Sequence, residues 1–440
     1  MDFAQFILDH EGDDLGALAL ARGRYEGLVE DFDLALTTLE VRRKLRGKVP
    51  EWYAVPSLQY PFRISGEQCS SSETAFYKAS VAAAAVGSDV RPLSAADLTG
   101  GLGVDTWAFA RVFDRVLYNE MRPELADAAS KNFATLGLSN VQVSSHELQP
   151  GNLADILGPF QPSLIFLDPA RRASDGRKVF RLEDCQPDVL QLLPELLAAC
   201  PHVLLKLSPM ADITLACKQL GSVREVHVVA ADGECKELLL LLERDWTGPY
   251  QLTIFENGHK IVIPDGREGD ILKSVATLGH VRGRGPQAAL EESGDLGGAE
   301  AKRRRFEDVT LPPVGTDLIG TYLFEPGKAL LKAGAFELPC EYGLQKLGKH
   351  THLYVGEEIP EELKPFGKCF KVLEAVALDK RSLKDLGKRF PQAEVTARNI
   401  PLTSDQLRAR LGVKSGGSVH IFGAHVDSLT AHYLFVCSLA

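Results

Sequence analysis

Two short runs of this chain hold residue types whose spacing can do chemistry. The first is Ala95-Ala96-Asp97-Leu98-Thr99-Gly100-Gly101-Leu102-Gly103-Val104-Asp105-Thr106. It reads as a strand, a glycine turn and the opening of a helix. Glycines there let the backbone approach a ligand that a Cβ would displace. The helix start offers unpaired N–H groups and partial positive charge. A dinucleotide fingerprint asks for G-x-G-x-x-G. Gly101 and Gly103 supply its first two glycines, but Thr106 stands at the third. Asp97 before the turn also suits a pyrophosphate poorly. It suits a ligand carrying an ammonium and a sulfonium, and Asp105 adds a second carboxylate. The pattern Asp-x-x-x-Gly-x-Gly-x-Asp, with Thr99 inside it, therefore favours S-adenosylmethionine over NAD. Glu120 lies 17 residues beyond Gly103. A carboxylate there can accept both ribose hydroxyls, and Met121 beside it is placed to lie against adenine. After a third strand, Ser144-Ser145-His146-Glu147 occupies the place where an adenine amino group would be read. Which residue reads it is open, with His146 the leading candidate.

The second run, Leu164-Ile165-Phe166-Leu167-Asp168-Pro169-Ala170-Arg171-Arg172, is an apolar strand ending in a carboxylate, a proline and two arginines. Ligands of open α/β sheets sit outside the carboxyl ends of the strands. Asp168 is thus expected beside the reacting methyl group, accepting a hydrogen bond from the acceptor and orienting it for attack. Pro169 stiffens the turn, and Arg171 and Arg172 are candidates to hold a phosphate or a base edge. A parallel run, Val203–Met210, carries Lys206, which either reaches the cleft or pairs with Asp168 or Asp212. No cysteine occurs at these strand ends, which disfavours covalent addition through a thiolate. The eight cysteines form no C-x-x-C pair, and His350-x-His352 lies in a strand-like run, Thr351–Val355, so no metal is expected.

Positioning these runs requires alternating strands and helices. Strands are expected at Ser94–Leu98, Arg115–Asn119, Val141–Ser144, Ser163–Leu167 and His202–Leu207. Helices are expected at Thr106–Val112, Pro123–Leu136, Pro187–Ala199 and Ala211–Leu220. Val223–Ala230 and Glu237–Glu243 face each other across Asp232-Gly233, a strong hairpin signal. Repeated βα units imply a mainly parallel sheet covered on both faces. Upstream, residues 1–49 read as helices, with an irregular connection at Pro50, Pro56 and Pro61. The polar run Gly66–Glu73 either forms a lid, or caps a helix through Ser70-x-x-Glu73, or does both.

The expected organisation is a helical region at 1–65, a Rossmann-like domain at 66–245, an α+β unit at 246–365 and an α/β module at 366–440. A flexible Gly/Ala/Glu-rich insertion spans 282–308 and carries Lys302–Arg305. With 440 residues, 45% hydrophobic and 25% charged, the chain fits several soluble globular domains. Its start has neither the basic nor the apolar region of a signal peptide, and no segment is long enough to span a bilayer. The cytoplasm is the expected compartment. A net charge of −10 argues against non-specific wrapping of nucleic acid but leaves room for local basic patches. One such patch runs from Lys364 to Arg389, where eight lysines and arginines meet three acids.

These residues resemble bacterial class I methyltransferases that carry a C-terminal THUMP-like domain. The likeness rests on Glu67–Ser71, Asp97–Thr106, Leu167–Arg172, Leu205–Met210, Tyr322–Pro326 with Lys332–Gly334, and the C-terminal module. It implies a class I methyltransferase sheet, a ferredoxin-like unit and a THUMP-like module, with methyl transfer from S-adenosylmethionine. It also suggests structured RNA, tRNA or rRNA, as the acceptor, by analogy with true THUMP domains. A small molecule or protein acceptor, with the C-terminal module binding a partner, is the alternative. One departure matters: base-amine methylating enzymes usually carry Asp/Asn-Pro-Pro-aromatic at the catalytic edge. Here Ala170 and Arg171 replace the second proline and the aromatic, which leaves the methylated atom open.

Overall fold

The computed structural model describes residues 2–25, 27–87, 89–171, 182–266 and 319–440. The insertion 282–308, its run Lys302–Arg305, and Arg172 lie outside the described residues, as does the side chain of Arg171. By internal contacts the chain divides into two compact units. One is Met1–His227 with Glu237–Tyr250, the other Val228–Lys236 with Gln251–Ala440.

The first unit opens with helices α1 (Phe3–Asp9), α2 (Leu15–Leu20) and α3 (Phe32–Lys48). Asp14 and Asp31 cap α2 and α3 by accepting the N–H groups of Ala17 and Leu34. Phe6, Ile7, Leu18, Phe32 and Leu39 form their shared core. The stretch expected to be irregular instead holds α4 (Pro50–Tyr53) and α5 (Arg63–Gln68). Pro50 sits in the first turn of α4, where its missing N–H costs nothing. Helix α6 (Ser72–Val86) is capped by Ser71, not by Ser70: the Ser71 Oγ accepts the Thr74 N–H. The expected Ser70-x-x-Glu73 box is thereby corrected, because the Ser70 hydroxyl is engaged elsewhere.

The sheet of this unit contains β1 (Ser94–Asp97), β2 (Arg115–Asn119), β3 (Val141–Ser144), β4 (Leu164–Leu167), β5 (His202–Leu207) and the parts of β6 (Val223–Ala231) and β7 (Glu234–Glu243) outside Val228–Lys236. Their spatial order is β6-β7-β5-β4-β1-β2-β3. The pairs from β5 to β3 are parallel, and β7 is antiparallel to β5. β1 and β4 are buried at every position, as strands covered on both faces must be. Asp232 and Gly233 take positive φ of 54° and 72°, which a type I′ turn requires. The crossovers are α7 (Val104–Ala110), α8 (Pro123–Thr135), α9 (Leu153–Leu157), α10 (Val189–Ala199) and α11 (Ile213–Leu220). Chain order reverses between β1 and β4, so a crevice opens at their carboxyl ends.

The second unit holds a hairpin, β8 (Gln251–Glu256) and β9 (His259–Ile263). Its seven-stranded sheet contains β10 (Tyr322–Pro326), β11 (Gln345–Lys346), β12 (Tyr354–Gly356), β13 (Gly367–Ala377), β14 (Glu394–Arg398), β15 (Val419–Val426) and β16 (Ala431–Leu439). The order is β11-β12-β10-β13-β16-β15-β14. β10 pairs antiparallel with β13, from Tyr322 opposite Lys371 to Pro326 opposite Gly367. Alternation along β16 serves two cores. Phe435 and Cys437 join one, while Leu434 and Val436 meet α14 (Lys380–Arg389) and α15 (Ser404–Leu411) in the other. The strand expected at Thr351–Val355 begins only at Tyr354, because His352 has a φ of 51° and its ring packs at a tilt against Phe336. Among the described residues no helix is long and apolar enough to cross a membrane.

Candidate active site

The glycine loop is built by packing as much as by conformation. Gly101 and Gly103 adopt φ of 53° and 92°, where side chains are strained. A Cβ on Gly100 would lie 2.1 Å from the Tyr118 ring, and one on Gly103 2.7 Å from Phe133. These two glycines thus admit neighbouring side chains of the protein, a demand separate from the ligand approach expected of the loop. Gly101 differs: a Cβ there would meet nothing nearer than the Thr99 carbonyl oxygen at 3.9 Å. It is the open position of the loop.

Glu120 stands beside that opening. Its Oε2 accepts the Gly101 N–H at 3.0 Å and its Oε1 the Arg122 N–H at 3.0 Å. The Tyr118 hydroxyl donates to the Gly101 carbonyl at 2.6 Å. Asn119, which sequence reasoning passed over, ties the strand ends together. Its Nδ2 donates to the carbonyls of Leu98 and His146, and its Oδ1 accepts the His146 N–H. The only hint in the sequence is an amide closing the apolar run Val116–Tyr118. The His146 ring pairs with the Ser144 hydroxyl at 2.8 Å, and Met121 is half exposed. An open glycine, an adjacent fixed carboxylate and an exposed thioether fit a nucleoside-bearing cofactor.

The two acids expected to meet the cofactor's cationic end have internal partners. Asp97 accepts the Thr106 hydroxyl at 2.6 Å and the Thr99 N–H at 3.2 Å. Burial pushes its carboxyl up to about 8. Asp105 accepts the Ser70 hydroxyl at 2.9 Å and lies 3.3 Å from the Lys78 ammonium. Neither stands as a free carboxylate.

Asp168 follows β4 directly at the loop: its N–H donates to Thr99 Oγ1 at 2.6 Å. Its carboxylate meets the Lys206 ammonium at 2.5 Å, so Lys206 takes the Asp168 pairing and not Asp212, whose carboxylate caps α11. Pro169 is buried, and Arg171 enters a two-residue pairing with Cys185 through its backbone. Lys206 is also 4.0 Å from Glu237, which accepts two hydrogen bonds from Lys78 at 2.7 and 2.9 Å. Burial works against the Lys206 ammonium, but Asp168, Glu237 and Asp105 outweigh it and hold it well above the usual lysine range. Sequence reasoning missed Lys78 and Glu237. The one available signal was a single lysine in the alanine-rich face of α6 and a single acid entering the leucine run of β7. Among the described residues no group of three histidine, cysteine or acidic side chains is placed to hold a metal.

Known proteins resemble this chain in two C-terminal regions and along most of its length. Residues 322–363 match a family described as a ferredoxin-like domain, and 367–439 one described as THUMP domain-like. Two Mycobacterium tuberculosis proteins, from strains CDC 1551 / Oshkosh and ATCC 25618 / H37Rv, are each named an uncharacterized S-adenosylmethionine-dependent methyltransferase. Each is 24% identical to this chain over 347 residues, 78% of this chain and 80% of its own length. A crystal structure from Porphyromonas gingivalis W83, described as a candidate methyltransferase, superposes with a TM-score of 0.72. It is 27% identical and covers 100% of this chain and 97% of that one. The fold and the crevice between β1 and β4 thus define a Rossmann-like methyltransferase domain. More particularly, the chain is a homologue of S-adenosylmethionine-dependent methyltransferases that continues into a ferredoxin-like and a THUMP-like domain.

Proposed function

We propose that this chain transfers the methyl group of S-adenosylmethionine to a base in structured RNA. The observation that carries the reading is the hydrogen bond from the Asp168 N–H to Thr99, which joins the catalytic edge to the glycine loop. When bound, S-adenosylmethionine supplies an electrophilic methyl group. Gly101 leaves room for it, and Glu120 is fixed to accept ribose hydroxyls. Met121 and His146 flank the adenine position. Asp168, paired with Lys206, accepts a hydrogen bond from the acceptor and then its proton. Buried Pro169 holds that carboxylate at the strand end.

The RNA part of the reading draws on the second unit. Lys380, Lys384 and Lys388 recur every fourth residue on α14, which aligns them in one row. With Arg410, Leu383 and Gly387 they line a groove of about 670 Å³. The cationic run is partly neutralised, since Lys364 pairs with Glu361 and Arg389 with Glu374 and Asp385. No ion pair engages Lys380, Lys384 or Lys388 among the described residues. A row of unpaired ammoniums can follow a phosphate backbone and release counterions on binding. Changing all three lysines to alanine should weaken RNA binding and reduce the log–log salt slope by up to about 3. S-adenosylhomocysteine affinity should not change. Filter binding across a salt series reads the first effect and calorimetry the second.

The deciding experiment has two arms. Calorimetry should show S-adenosylhomocysteine binding and no NAD binding. Labelled S-adenosylmethionine, incubated with total RNA from cells deleted for this gene, should place label in a modified nucleoside identified by mass spectrometry. Label confined to protein or small molecules would move the acceptor to the other class and leave the cofactor assignment standing.

A further inference from the structure

Beneath the crevice, charged side chains alternate in sign from Asp105 through Lys78, Glu237 and Lys206 to Asp168, with successive separations of 3.3, 2.7, 4.0 and 2.5 Å. Lys78 is fully buried, the Glu237 side chain is 3% exposed, and only Asp168, at 35%, reaches appreciably toward solvent. Three carboxylates thus face two ammoniums, and the unbalanced charge ends at the accessible carboxylate. Water and salt screen such a buried chain poorly. Its far end is tied to the glycine loop's helix, since Asp105 lies in the first turn of α7. Its near end is tied to the loop itself through the Asp168 N–H on Thr99.

We infer that Glu237 and Lys206 set the charge of the methyl-donor site and make it discriminate a cationic nucleoside from its neutral thioether product. The inference rests on the cofactor reading above. Methyl transfer breaks the sulfonium carbon–sulfur bond and forms the bond to the acceptor. The sulfur keeps the electron pair, so the nucleoside loses one positive charge. The acceptor's proton passes to Asp168 and then to water. A site one cation short favours the nucleoside before the reaction and releases it afterwards. Glu237 does not need to touch the ligand to do this, and is therefore a specificity-setting residue acting through Lys206. Asp97 and Glu120 also face the loop, but they are unchanged in the variants below and cancel in a ratio.

The test is the ratio of the dissociation constants of S-adenosylhomocysteine and S-adenosylmethionine, measured by calorimetry on the full chain. Sinefungin, which carries an ammonium in place of the sulfonium, serves as an unreactive cationic control. Glu237→Gln removes a negative charge and should lower the ratio about five-fold. That is the scale of one unshared charge acting through a medium between protein and bulk water. Lys206→Met removes a positive charge and should raise the ratio by a similar factor. Asp168→Asn, at the half-open end where folding is least at risk, should lower it as Glu237→Gln does. A merely structural network would weaken both nucleosides equally, so unchanged ratios, or shifts of one sign in all three variants, would overturn the inference while the cofactor reading stands. Wild-type protein that binds none of the three nucleosides would overturn both.

Discussion

Asp168→Asn is expected to slow methyl transfer by about 10²–10⁴-fold, the range typical for losing a positioned proton acceptor. S-adenosylhomocysteine should still bind within about threefold of wild type. The asparagine keeps the backbone N–H that donates to Thr99, so the junction between the catalytic edge and the glycine loop survives. What disappears is the carboxylate held by Lys206. Single-turnover transfer of labelled methyl to RNA reads the first effect, and calorimetry the second. Transfer within tenfold of wild type would remove Asp168 from the chemistry. Lost S-adenosylhomocysteine binding would instead make it part of the cofactor site.

The second large effect is on stability. Lys78→Met should cost about 3–5 kcal/mol, the usual consequence of breaking a buried ion pair from one side. Methionine nearly matches the volume of lysine, so packing changes little. Glu237 and Asp105 would then face each other's charge without the ammonium that now sits between them. Combining Lys78→Met with Glu237→Gln removes one of those charges and should recover much of the loss. Urea unfolding of the single and double variants measures both. A single-variant cost below about 1 kcal/mol would mean that water already reaches this cluster.

What the sequence revealed about this molecule follows how local each signal is. The glycine turn, the Asp232-Gly233 hairpin and the apolar strands carry their information within a few residues, and the observed elements lie within a few residues of the expected ones. The reason for Gly100 and Gly103 did not, because the atoms they make room for belong to Tyr118 and Phe133 on other elements. Lys78 and Glu237 are separated by 159 residues, and no periodicity pairs them. The capping residue of α6 was misread by one position because two adjacent serines offer equal hydroxyls. Only the approach of Asp105 shows which one is taken. Pro50 was read as a breaker, although in a first helical turn the same ring favours the helix.

The ladder between β10 and β13 has a practical meaning for anyone dividing this protein. Recognisable domain families meet between residues 363 and 367, yet main-chain hydrogen bonds run straight across that seam. A cut there would strip β10 of a neighbour and bare a sticky edge backed by Leu323 and Phe324, an invitation to aggregate. The two families behave mechanically as a single plank, to be transplanted, deleted or inherited whole.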